Sequence, residues 1–188
     1  MRAQGPVTPE RFAQGRTFAE YLDYIGTPEN LARESGWWLG KERRDLSGII
    51  GSWYERLRLS DAQAAAVRWL AAQQGGPAKI LAISEEWSSD CRRDLCIVAR
   101  LAEAASLELR IFDRDGRRLG NGPRADPAES PNADLVNAFL AERDGETFQS
   151  IPVIVVYSER FVELHRHGRV ARAPAGTVLH ALGVRHRG

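Results

Sequence analysis

The stretch ILAISEEWSSDCRRDLC, residues 80–96, decides how the rest of the chain is read. Ile80 to Ile83 form a short apolar run that stops at Glu85 and Glu86, the pattern of a buried strand reaching its end. After Trp87 the period changes. Cys91, Leu95, Val98, Leu101 and Ala102 fall on one stripe and the arginines on the other, which predicts an amphipathic helix starting near Ser88. A strand therefore hands over to a helix through a tryptophan, and Ser88, Ser89 and Asp90 separate that tryptophan from Cys91.

Working outward toward the C-terminus, strand and helix patterns alternate. LELRIFDRD (residues 107–115) has period two through Leu107, Leu109 and Ile111, which predicts a strand. Residues 116–132 are rich in Gly, Pro and Asn and read as a loop or lightly structured insertion. ADLVNAFLAE (residues 133–142) reads as a helix. SIPVIVVYS and FVELHRHGRV read as two strands joined by a turn near Ser158-Glu159-Arg160, most simply an antiparallel hairpin. Residues 174–182 are expected to add a short helix.

Toward the N-terminus the pattern is helical, and the breaker triplet Gly75-Gly76-Pro77 separates the two regimes. A helix is expected over residues 17–26, with Thr17 as N-cap and Gly26 as stop. A second places Leu46, Ile49, Ile50, Trp53 and Leu57 on one face. A third opens at Ser60 or Asp61 and turns Val67 and Leu70 inward. Trp37, Trp38, Trp53 and Trp69 are expected to pack between these helices and the following layer. The organisation is thus a helical extension over residues 1–76 packed on a core domain over residues 77–188.

The order β-α-β-α-β-β, the segment Trp87-Ser88-Ser89-Asp90-Cys91, the strand end LRIFDRD and the strand opening Ser150-Ile151-Pro152 together resemble the bacterial thioredoxin-like family. That family's motif runs roughly Trp-Cys-Gly-Asp-Cys or Trp-Cys-Gly-Asp-Ala, with an Arg-Asp pair after the second strand. The resemblance covers residues 79–174. It implies an α/β, three-layer thioredoxin-like fold with a central mixed sheet of about four strands. It also implies a cis peptide before Pro152, and a groove in which Trp87, Ser89, Asp90, Ile151 and Pro152 would contact a substrate.

The departure from the family falls on the chemistry. In a working member the first cysteine of the pair sits at the exposed helix N-terminus, where partial positive charge lowers its pKa. Here Ser88 holds that position, and no motif supplies a base to activate its hydroxyl. Cys91 stands in the resolving position, one turn inside the helix. Cys96 cannot replace the missing partner. Five positions along a helix mean a rise of about 7.5 Å and a divergence of about 140°, whereas a disulfide needs Cα atoms within about 7 Å. Cys96 is expected to pack as a small apolar residue.

Other sites are weaker. His165 and His167 share a strand face, but no further ligand stands at a metal spacing, so no metal and no cofactor is expected. Glu85 and Glu86 are placed at the site's rim in a structural role, adjacent side chains at a strand end tending to diverge. Asp90 lies in the first helical turn, where its charge favours the terminus.

Composition bounds the function classes. Net charge is +1 with mixed signs over 188 residues, unlike the concentrated basic face that nucleic acid demands. No run approaches the roughly 18–20 apolar residues of a membrane span, and the start has no signal-peptide pattern. With 2 cysteines a disulfide scaffold is excluded and a cytoplasmic location is expected. The leading reading is a thioredoxin-like protein without dithiol exchange, binding a peptide or small thiol beside Pro152. The alternative is a single-thiol oxidoreductase acting through Cys91 on a thiol or disulfide partner, and an unrelated activity on the same fold is a third. Oligomeric state is not legible from these patterns.

Overall fold

A computed structural model describes residues 7–36, 42–120 and 122–168. Its N-terminal part is helical: α1 (Pro9–Ala13), α2 (Phe18–Ile25), α3 (Pro28–Leu31), α4 (Ser47–Arg56) and α5 (Asp61–Ala71) precede the first strand. Local chemistry fixes two of their starts. Thr17 and Glu20 cap α2 reciprocally, and Ser60 and Gln63 do the same for α5, so otherwise unpaired N–H groups are satisfied. Gly26 ends α2 as expected.

β1 (Pro77–Ser84), α6 (Ser89–Ala105) and β2 (Glu108–Asp113) follow, then α7 (Ala133–Ala138), β3 (Ala141–Arg143), β4 (Glu146–Phe148), β5 (Val153–Ser158) and β6 (Glu163–His167). The main sheet has the order β2-β1-β5-β6. β1 and β2 are parallel, joined through α6, and the other two pairings are antiparallel. This is a mixed four-stranded sheet between helical layers, the fold expected for a thioredoxin-like chain.

Period-two alternation divides the core between the sheet's two faces. Leu81 and Ile83 of β1, Phe112 of β2 and Val153, Val155 and Tyr157 of β5 pack with Phe12, Leu135 and Val136. Ile80 and Ala82, Leu109 and Ile111, and Ile154 turn the other way onto Leu95, Val98 and Ala102 of α6 and onto Tyr21, Ile25 and Ile50. The helices before β1 thus share both cores with the sheet. Residue 16 also exchanges backbone hydrogen bonds with Ile111, at 2.9 and 2.8 Å, covering part of the free edge of β2.

Two expectations are corrected. Trp69 is 64% exposed, Trp53 36% and Ile49 47%, because α4 and α5 lie over α6 as a layer whose far faces no described residue covers. Trp53 instead has the Arg92 guanidinium 6.0 Å from its ring. Trp37, Trp38 and the helix expected over residues 174–182 lie outside the described residues. Last, the helix after the loop stops at Ala138 rather than Glu142, and residues 141–148 form a small hairpin. Its turn is Asp144-Gly145, both at positive φ (55° and 81°). An Asp-Gly pair between short strands is a strong local hairpin signal, and here it overrides helical periodicity.

Candidate functional site

The site forms where β1 ends. Ile83 pairs with Val153, so Pro152 lies just beyond the last paired position, at the same end of the sheet as Ser84 and the turn into α6. The Ile151–Pro152 peptide is cis. Pro152 is buried and Ile151 half-buried. Across the junction Trp87 and Ser88 are half-buried and Ser89 is exposed. Asp90 lies in the first turn of α6, 3.4 Å from Arg93, with its side chain 41% exposed.

Ser88 is the N-cap of α6, its hydroxyl accepting from the Cys91 backbone N–H at 3.4 Å. The hydroxyl thus satisfies a helix-end donor. Cys91 itself is 0% exposed. Burial pushes its thiol up to about 11, although the Ser88 hydroxyl, the Glu85 backbone and the Ser84 hydroxyl partly offset the rise. Deprotonation at neutral pH is therefore rare, and the thiol faces the interior rather than solvent. Cys96 is also buried, its sulfur 3.6 Å from the Ile50 carbonyl oxygen, and burial raises it to about 11. Both cysteines are free thiols.

Behind this junction lies an ionic network that the sequence does not reveal. Glu85 and Glu86 are buried rather than at a rim, and their side chains converge rather than diverge. Arg43 Nη1 reaches Glu85 Oε2 at 2.8 Å and Glu86 Oε1 at 2.6 Å. Arg33 Nη2 donates to Glu85 Oε1 at 2.7 Å and to the Asp115 carbonyl at 2.6 Å. Asn30 Nδ2 reaches Glu86 Oε1 at 3.3 Å, and the Asp115 N–H donates to Glu85 Oε1 at 2.7 Å. The turn leaving β1 directs both carboxylates inward onto the Arg33 and Arg43 guanidinium groups.

The network extends to the end of β2. Asp113 pairs with Arg16 at 2.8 Å, and Asp115 with Arg114 at 2.8 Å. Burial, then the Glu85 charge, raises both aspartates to about 6 despite these arginines. Asp115 Oδ2 also accepts from Trp87 Nε1 at 3.2 Å. The Arg114 guanidinium lies 5.4 Å from the centre of that ring, and Gly36 packs close against it, a Cβ there coming within 2.4 Å of the ring. Trp87 is thus clamped between the N-terminal segment and the end of β2. Only the acidic pair at a strand end and the acidic strand end LRIFDRD hinted at this. Spacing cannot pair them with arginines 43 to 52 positions away.

Two surface cavities adjoin this half of the molecule, and neither is lined by Trp87, Ser88, Ile151 or Pro152. One lies between α2 and α4, around Asp23, Gly26 and Asp45. The other opens past the carboxyl end of β2. His165 and His167 stand opposite Val156 and Ile154 on the edge strand β6. Among the described residues no group of three His, Cys, Asp or Glu side chains converges as a metal site.

Residues 44–119 match a protein-family model described as Thioredoxin. A search of curated proteins finds no match. The crystal structure of an HIV epitope scaffold aligns with a TM-score of 0.54 over 93% of this chain and 86% of that one, at 16% identity, a likeness in fold alone. A protein of unknown function from Pseudomonas aeruginosa aligns over 89% of each chain at 18% identity with a TM-score of 0.44, too low to carry an argument. Reaching from the approach to α4 across β1, α6 and β2, the family match gives this chain a thioredoxin-like domain.

Proposed function

We propose that this chain is a thioredoxin-like binding module that does not perform dithiol exchange. It would take a peptide or small thiol at the sheet end where Trp87, Ser89, Asp90, Ile151 and Pro152 lie. The observation carrying this reading is the fate of the two thiol positions. Ser88 spends its hydroxyl on capping α6, and Cys91 is 0% exposed with its pKa pushed up. An attacking thiolate must be both accessible and populated, and Cys91 meets neither condition. A cytoplasmic location belongs to the same reading, since two free buried thiols suit a reducing compartment. No helix among the described residues is long and apolar enough to cross a membrane.

Alkylation by iodoacetamide across pH 6–10, followed by mass spectrometry, tests it. Native Cys91 reacts only on unfolding, whereas the Ser88→Cys variant gains a rapidly modified thiol at the helix N-terminus and reduces a model disulfide. Fast modification of native Cys91 near neutral pH would overturn the reading in favour of a single-thiol oxidoreductase.

A further inference from the structure

The outer face of α5 is apolar, and no described residue covers it. α5 packs on α6, with Val67 buried on its inner side. On the outer side Ala62, Ala65, Ala66 and Trp69 recur at i, i+3, i+4 and i+7, and all four are exposed. Trp69, at 64% exposed, leaves on the order of 100–160 Å² of indole in water. One exposed apolar side chain would need no explanation. A tryptophan continuous with an uncharged stripe along its own helix has the composition of an interface centre.

Charge decides what fits that face. Asp61 and Arg68 are exposed and lie two turns apart on one flank of the stripe. Neither side chain forms an ion pair or a hydrogen bond among the described residues. Consider a second copy related by a two-fold axis through the middle of α5, so that the two helices run antiparallel. Trp69 of each copy then lies over Ala62 of the other, while Ala65 and Ala66 meet at the axis and let the backbones approach. The same axis puts Asp61 of each copy on the flank that carries Arg68 of the other, offset by about 3 Å along the helix. A parallel pairing would instead set Asp61 against Asp61 and Arg68 against Arg68. The face is therefore complementary to itself only in the antiparallel, isologous arrangement.

We propose that the outer face of α5 is a self-association surface, on which two copies of this chain pair antiparallel with Trp69 of each seated on the alanine stripe of the other. Two short helices bury less than the roughly 1,200 Å² at which stable interfaces begin, so the dimer is weak and reversible. The proposal rests on α5 and not on the α6 junction, so it and the binding-module reading fail independently.

Sedimentation equilibrium of the full chain tests it, over about 10–1,000 µM, the range in which a small interface dissociates. A monomer–dimer equilibrium is expected. Trp69→Ala, a change at an exposed site that should leave the far-UV circular dichroism unaltered, should weaken association by about 10-fold or more. Arg68→Asp should also weaken it, by setting Asp61 against a second carboxylate, and adding Asp61→Arg should restore it. A chain that stays monomeric throughout, a dimer unaffected by Trp69→Ala, or a dimer indifferent to the charge variants would overturn the proposal. A monomer that binds phosphatidylglycerol vesicles through Trp69 would give the face to a lipid surface and overturn it as well.

Discussion

The chemistry of this site turns on what individual side chains are already doing. Ser88 stands where a thioredoxin nucleophile would, and its hydroxyl is engaged with the Cys91 N–H. Trp87 is similarly committed, its indole N–H on Asp115 and its ring against Gly36. That packing leads to a specific expectation. A Cβ at Gly36 would lie 2.4–2.7 Å from three ring atoms of Trp87, so Gly36→Ala should destabilise the fold by about 1–3 kcal/mol, as overpacking does. Urea denaturation measures the loss, and a shift of the Trp87 indole N–H signal would place it. An unchanged midpoint and an unmoved indole signal would mean that the ring is not held in this way. The sequence showed Trp87 at the junction but not the residue that covers it, because Gly36 meets the ring only through tertiary packing.

At the scale of elements, the junction between β1 and α6 is tied to the residues following α3 by buried ion pairs as well as by the packing of Trp87 on Gly36. Arg43 is the knot, with a side chain 0% exposed and reaching both Glu85 and Glu86. Taking one partner from a buried cluster leaves the others charged and unpaired, which costs about 3–5 kcal/mol. Arg43→Ala should therefore lower the unfolding free energy by that order, read from equilibrium urea curves, whereas Arg93→Ala on the exposed face of α6 should change it by less than about 1 kcal/mol. Equal small effects would show that the carboxylates are hydrated instead. Among the elements, β1, α6, β2 and the β5–β6 hairpin were legible from period and turn residues, as were the caps of α2 and α5. The β3–β4 hairpin was not read, although its Asp144-Gly145 turn carries the local signal for it.

For the whole molecule, the buried carboxylates make stability depend on pH with a definite sign. Asp113 and Asp115 are raised to about 6 in the folded state, first by burial and then by the Glu85 charge. Between an unfolded value near 3.9 and that folded value the native state holds more protons. Their contribution is therefore full below about pH 4 and is lost as pH rises through about 6. Carboxylates with lowered values, such as Asp45 and Asp134, act in the opposite direction and lose their contribution as pH falls. The difference between native protein and Asp113→Asn isolates the first effect: the variant should gain in relative stability from pH 4 to pH 7. Parallel stability curves over that interval would contradict the raised value.

By itself the sequence determined the parts whose causes are local. The strand-to-helix change at Trp87, the amphipathic stripe of α6, the alternation of β2 and the absence of a second thiol at Ser88 all follow from residue type and spacing. Only the tertiary structure decided that Cys91 is sealed from solvent, that Glu85 and Glu86 meet on Arg43, that Trp53 and Trp69 face outward, and that a cavity opens beside Asp113. The physical reason is range. Hydrogen-bonded caps and hydrophobic period act between neighbours along the chain, whereas burial and charge pairing act between side chains that only folding brings together.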